Sequence, residues 1–340
     1  MAMFTDMALA EALTDRRLEL IILPTEKCNF RCTYCYEDFA NGRIAGKLVS
    51  GIKKLLDARV GTVHHITISW FGGEPLLAKD VILDVGSYAH DLCGSRGVSL
   101  LGAMTTNAYT LDRDLLSSLC AIRHSSYQIT LDGDAEWHDK TRLLANRNGT
   151  FDRIWSNLLS YRSLEERFSI SLRLHLHREN VESVRRLYQA ILRNFGHDDR
   201  FGTYFHRISN LSGERGIPQS ELSTDEYRKA LAYVTGEKSP ANVAADVNLS
   251  DYICYAAKPN SLLIRSDGRI GKCTVALDDP RNDIGTLHED GTLAIDNEMA
   301  RLWFHGYESM SEQSLGCPLS TLPPLKETPQ WLGSTQVRLV

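Results

Sequence analysis

Along the first two-thirds of the chain, short apolar runs alternate with longer amphipathic segments. β-rich runs stand at 18–24 (LELIILP), 65–71, 98–106, 126–132, 169–176 and 201–208. Helix-like segments lie between them, near 45–58, 78–94, 111–122, 151–165 and 181–195. Strands separated by helices predict the α/β class with parallel βαβ units. Right-handed crossovers would wind six such units into a barrel or a partial (β/α)6 TIM-type barrel.

Within two of these strands the alternation carries more than fold. In SISLRLHLH the leucines Leu172, Leu174 and Leu176 share one face, and Arg173, His175 and His177 share the other. The run before it repeats the pattern, with Gln128, Thr130 and Asp132 opposite Tyr127, Ile129 and Leu131. An ordinary barrel fills its interior with branched apolar side chains. Polar faces on neighbouring strands therefore predict a cavity for a polar ligand, with a solvated sheet face as the alternative. Beyond 208 the pattern weakens into a loop at 209–221, a helix at 222–236 and a polar linker at 237–250. From 251 a separate region begins, with a β-hairpin expected around Asp267 and Gly268. The boundaries expected are an extension at 1–17, a core at 18–210, a helical linker at 211–250, a small region at 251–320 and a tail at 321–340.

Composition narrows the function classes. With 340 residues, 43% of them apolar, the chain has ample material for a core. A net charge of −5 argues against nucleic acid or an anionic membrane as main partner. No apolar stretch approaches the roughly 20 residues of a membrane helix. The first residues lack the basic and apolar blocks of a signal peptide, so a cytoplasmic location is expected. In that compartment eight cysteines are not expected to form disulfides. Cys93 and Cys120 sit in helix-like apolar contexts and read as small buried hydrophobes. The other six fall into two groups.

Cys28, Cys32 and Cys35 form a C-x3-C-x2-C loop directly after the first strand. Three local thiolates on a [4Fe–4S] cubane leave one iron without a protein ligand, and an open metal position can take a small molecule. Zinc is the competing reading, but a structural zinc site wants a second paired half that this chain lacks. GGEP (Gly72, Gly73, Glu74, Pro75), Thr106 with Asn107, and LDG with His138, Asp139 and Arg142 follow the second, third and fourth strands. Chemistry in such folds gathers at those strand ends.

These residues carry a resemblance. CNFRCTYCYE resembles the signature of the radical S-adenosylmethionine (SAM) superfamily, with Tyr34 as the aromatic residue before the third cysteine. The resemblance implies a [4Fe–4S] cluster on Cys28, Cys32 and Cys35 whose open iron chelates SAM. It also implies SAM-binding roles for Tyr34, Gly72, Gly73, Glu74, Pro75 and Asn107, and for Thr130 and Arg142 at the methionyl carboxylate or ribose. The branch resembled includes anaerobic sulfatase-maturing enzymes and peptide maturases. Cys254, Cys273 and Cys317 resemble a shortened SPASM, or twitch, region, which implies an auxiliary [4Fe–4S] cluster. The expected function is hydrogen abstraction from a ribosomally made peptide or protein. Arg173, His175 and His177 are candidates for anion binding or proton transfer in that reaction. Flavodoxin or ferredoxin would supply electrons. Fewer than 20 residues precede the first strand, where many peptide maturases carry a precursor-recognition domain, so a separate recognition protein or a different docking surface is expected. The alternatives are a radical transformation of a nucleotide, sugar or amino acid, and a noncatalytic iron–sulfur redox or partner-binding protein.

Overall fold

A computed structural model describes residues 4–207, 221–236, 251–325 and 336–339. The loop expected at 209–221, the linker expected at 237–250 and part of the C-terminal tail lie outside the described residues. In chain order the strands are β1 (Arg17–Ile22), β2 (Phe30–Cys32), β3 (His65–Trp70), β4 (Ser99–Thr106), β5 (His124–Leu131), β6 (Arg142–Leu144) and β7 (Ser169–Leu176). They continue with β8 (Phe201–Arg207), β9 (Ser261–Ile264), β10 (Arg269–Gly271), β11 (Gly285–Leu287), β12 (Leu293–Asp296) and β13 (Gln336–Leu339). The chain divides into two compact units, residues 1–27, 40–102 and 248–340 in one, and 28–39 and 103–247 in the other.

In the first unit β1 is central. It pairs in parallel with β3 on one side and with β9 on the other, Glu19 facing both Thr67 and Ser261. One face of it, Leu18, Leu20 and Ile22, is almost wholly covered, while the other runs from exposed Arg17 through half-buried Glu19 to buried Ile21. From β9 the sheet continues antiparallel through β10, β11, β12 and β13. The expected hairpin is present: Gly268 adopts a left-handed φ of 91°, and its N–H donates to the Arg265 carbonyl at 3.0 Å. A helix at Asp6–Leu13 is capped by the Thr5 hydroxyl. Ala12 on it and Phe4 before it pack against Ile253, Ala257 and Leu315.

In the second unit β5, β7 and β8 are parallel neighbours. Helices Phe151–Tyr161 and Val181–Phe195 bury apolar faces. The second does so through Val184, Leu187, Ile191 and Phe195, spaced three or four apart. Asp134 caps a short helix, Ala135–Thr141, that leads straight into β6. β6 pairs antiparallel with β2, a two-stranded ribbon that the sequence pattern does not announce. No described helix is long and apolar enough to cross a membrane.

Candidate active site

The cysteine loop belongs to the second unit and is held there by backbone. In the β2–β6 ribbon Cys32 faces Arg142 and Phe30 faces Leu144. The Thr33 N–H donates to the Thr141 carbonyl at 2.9 Å, and Ala145 N–H to the Asn29 carbonyl at 2.9 Å. Inside the loop the Cys35 N–H reaches the Cys32 carbonyl at 3.2 Å, and the Phe30 N–H points at Cys28 Sγ at 3.3 Å. None of the three cysteines is in a disulfide, and each is half-buried. Burial pushes the Cys35 thiol up to about 11 and raises Cys32 too, so a metal must displace protons to bind there.

Side chains from the strand ends meet the same loop. Asn107, just past β4, donates from Nδ2 to Asn29 Oδ1 at 2.8 Å and accepts the Tyr109 N–H at 3.0 Å. Between them Ala108 is fully buried at a left-handed φ of 59°, a conformation nonglycine residues rarely hold without surrounding support. The Tyr34 hydroxyl donates to Asp132 at 2.7 Å, accepts from Arg142 Nη1 at 2.8 Å, and lies 3.2 Å from His175 Nδ1. Asp132 also accepts from the Thr141 hydroxyl at 2.7 Å and faces His175 Nδ1 at 3.1 Å. Burial alone would raise the Asp132 pKa. The His175 N–H and the positive charge of Arg142 instead hold it far below the usual carboxylate range. His175 and His138 are both lowered to about 4, mainly by burial.

Register places the polar positions in rows. Thr130, Arg173 and Tyr204 stand side by side on β5, β7 and β8, and His175 stands beside His206. Arg173 Nε donates to Thr130 Oγ1 at 3.0 Å, and among the described residues no carboxylate pairs with its guanidinium. Tyr204 donates to Gln128 at 2.7 Å. His177 is engaged elsewhere: its Nδ1 meets Glu179 at 2.8 Å, and its Nε2 accepts from the Trp137 indole at 3.3 Å. Asp132 enters the sequence reading only as one position of a polar face, and Tyr204 and His206 are absent from it. The polar–apolar alternation along the strands was the available signal.

The GGEP segment is in the first unit. Gly72 has a left-handed φ of 109°, and a Cβ on Gly73 would lie 2.6 Å from the Lys27 carbonyl oxygen. The close approach seen here is thus to the chain's own residues just before Cys28. Glu74 is fully buried; its N–H donates to the Lys27 carbonyl at 3.0 Å, and its carboxylate caps Leu76 N–H at 3.1 Å. Pro75 opens the short 3-10 turn Pro75–Ala78.

The pattern that defines the Radical SAM superfamily matches residues 22–191, half of the chain. The chain belongs to the radical SAM superfamily. It is 24% identical over 219 residues to Fe-coproporphyrin III synthase of Methanosarcina barkeri (strain Fusaro / DSM 804), covering 64% of this chain and 50% of that protein. It is 30% identical over 155 residues to the cysteine-type anaerobic sulfatase-maturating enzyme of Clostridium novyi (strain NT), covering 42% of this chain and 40% of that one. The chain thus spans half or less of the length of these curated relatives. The solved structure of native anSMEcpe with bound AdoMet and Kp18Cys peptide superposes with a TM-score of 0.61 at 17% identity, over 85% of this chain and 84% of that one. That likeness carries the fold: α/β with a largely parallel sheet, as in the partial barrel of radical SAM proteins, and not closed.

Radical SAM membership implies a [4Fe–4S] cluster and SAM. Three thiols on a short loop, spaced three then two, are the donor set such a cluster takes. Among the described residues no three His, Cys, Asp or Glu side chains converge on a single ion. A cubane does not ask for that, because its thiolates bind separate irons. Cys254, Cys273 and Cys317 all lie in the first unit. The Cys254 N–H donates to the Leu315 carbonyl at 2.9 Å, two residues before Cys317. Burial first, then the Cys273 and Cys317 sulfurs nearby, push the Cys254 thiol up to about 11. Asn282 shapes the Cys273 turn with four hydrogen bonds. It accepts from the Lys272 and Cys273 N–H groups and donates to the Cys273 and Ala276 carbonyls, all at 2.8–2.9 Å. Of the remaining cysteines, Cys93 is buried in its helix as expected and Cys120 is half-buried.

Proposed function

We propose that this radical SAM enzyme abstracts hydrogen from a peptide or protein side chain and so matures a ribosomally made product. The observation that carries the reading is the polar face of β5 and β7, held beside a cysteine loop in a fold shared with a peptide-bound neighbour. When bound, the cluster and SAM supply a 5′-deoxyadenosyl radical, and the protein's part is to bind, orient and exclude water. Cys28, Cys32 and Cys35 would hold the cluster. Arg142 is nine-tenths buried and its Nε has no hydrogen-bond partner among the described residues, which suits a guanidinium awaiting the SAM carboxylate. By the family resemblance, Tyr34, Asn107 and Thr130 of the second unit would contribute to SAM binding, and Gly72, Gly73, Glu74 and Pro75 keep the same assignment within the first unit. Cys254, Cys273 and Cys317 would hold an auxiliary [4Fe–4S] cluster, and flavodoxin or ferredoxin would serve as reductant. Arg173 would take an anionic group of the substrate, and neutral His175 would accept a proton from it. His177, tied to Glu179 and Trp137, would steady the end of β7. A separate recognition protein or a docking surface of this chain would bring the peptide to the site.

A small-molecule substrate is the second reading. It is favoured by the Fe-coproporphyrin III synthase relative and by the guanidinium of Arg173, which no carboxylate pairs among the described residues. Anaerobically loaded protein given dithionite and SAM should release 5′-deoxyadenosine; none at full iron loading would overturn the enzyme reading. Peptides encoded beside the gene should then change mass on incubation. Unchanged peptides, with turnover of a neighbouring pathway's metabolite, would establish the second reading instead.

A further inference from the structure

Arg142 reaches Asp132 through an intermediary on the cysteine loop. Its Nη1 donates to the Tyr34 hydroxyl at 2.8 Å, and that hydroxyl donates onward to Asp132 at 2.7 Å. Asp132 is wholly buried and is fixed in turn by the Thr141 hydroxyl at 2.7 Å. The Asn180 amide holds its carbonyl, also at 2.7 Å. A second side of Arg142 is set by its own carbonyl, which accepts from the Thr150 hydroxyl at 2.6 Å, while its guanidinium lies 5.7 Å from the Phe30 ring centroid. A buried cation and a buried anion are thus joined through one phenol rather than in direct contact. Such an arrangement keeps charge balance while leaving the guanidinium fork unspent.

We propose that Asp132 is a positioning residue: acting through the Tyr34 hydroxyl, it aims the guanidinium of Arg142 at the carboxylate of SAM. The proposal rests on the assignment of Arg142 to that carboxylate and is independent of what the substrate is. A direct Asp132–Arg142 pair would occupy the fork with an internal carboxylate. The phenol relay uses one nitrogen, Nη1, and leaves Nε without a partner among the described residues. Tyr34 is the residue between Cys32 and Cys35 that makes this link, so cluster loop and SAM ligand are registered by one side chain.

The test uses anaerobically purified holoenzyme. Iron content and the spectrum of the reduced cluster are measured first. SAM is then titrated while the change it causes in the low-temperature paramagnetic resonance signal is followed. Asp132→Asn and Tyr34→Phe should keep wild-type iron and raise the apparent Kd for SAM about tenfold, the scale of one charge-assisted hydrogen bond. The double variant should be no weaker than the weaker single, because both cut the same chain. Wild-type Kd in both single variants, or losses that multiply in the double, would overturn the proposal. So would lost iron with unchanged affinity per loaded cluster, since Asp132 would then serve the cluster alone. If Asp132→Asn does not fold, Tyr34→Phe decides by the same criterion. Arg142→Met is the reference: if its affinity is also unchanged, the assignment of Arg142 fails and the positioning role with it. A loss there with none in Asp132→Asn rejects the positioning role only.

Discussion

Arg265 grips Glu26 with two nitrogens, Nη2 at 2.6 Å and Nε at 3.2 Å, in a pair almost entirely removed from water. Ser266 adds its N–H and hydroxyl to the same carboxylate, and Asn41 approaches from the other side. Burial would raise the Glu26 pKa, but these donors lower it on balance. Two residues later comes Cys28. Arg265→Ala should cost about 3–5 kcal/mol in urea unfolding, because a buried carboxylate loses its counter-charge. Replacing both partners with apolar residues should cost less than the single change.

Cys28→Ala should abolish SAM cleavage. Cys273→Ala should lower iron by about four per chain, on cubane stoichiometry, and uncoupled 5′-deoxyadenosine release would persist. Iron analysis with product chromatography checks both, and unchanged iron in Cys273→Ala would withdraw the auxiliary cluster.

Gly73→Ala should fail to accumulate, or should lose roughly 3 kcal/mol of stability by thermal or urea unfolding. The added methyl meets the Lys27 backbone, which cannot rotate out of the way. Gly42→Ala is the matched control: nothing lies within 4 Å of its added Cβ, and its stability should stay near wild type.

His138 and His175 give a pH dependence of known sign. Both are lowered to about 4 by burial, against an unfolded value near 6.5. Below 6.5 the unfolded chain takes up protons that the folded chain refuses, so stability is complete above 6.5 and falls as pH drops toward 4. Each imidazole contributes about 1.4 kcal/mol per pH unit within that window. Urea midpoints between pH 7.5 and 5.5 should show the slope. His138→Gln, which can keep the bond to the Thr150 hydroxyl, should roughly halve it.

The long strands were legible because each runs for six to eight residues with a clear alternation or an apolar run, and β7 matches its expected limits. The cysteine triad was legible because its spacing is rare. The ribbon of β2 and β6 was not: three residues cannot display a period, and Cys32 and Arg142 were each read as ligands rather than as partners across a ladder. Asp132 was visible as one polar position in a row, but its tie to Tyr34 joins residues 98 apart. Glu26 with Arg265 spans 239, and no local pattern marks such a pair. Nothing in the sequence around Asn282 singles it out. Only the four backbone groups around it show that the turn is built on its amide.

β1 has consequences for how the protein is made. It is translated before the second unit, yet one of its two neighbours, β9, comes only after the whole of that unit. Until then Leu20 and Ile22 stand on a strand with an open backbone edge, the kind of surface that pairs with other nascent chains. The second unit, complete earlier, can take shape while the first still waits for its closing strand. Yield in a heterologous host should therefore depend on how long β1 is left unpaired during translation, with slower growth and chaperone supply as the levers that matter.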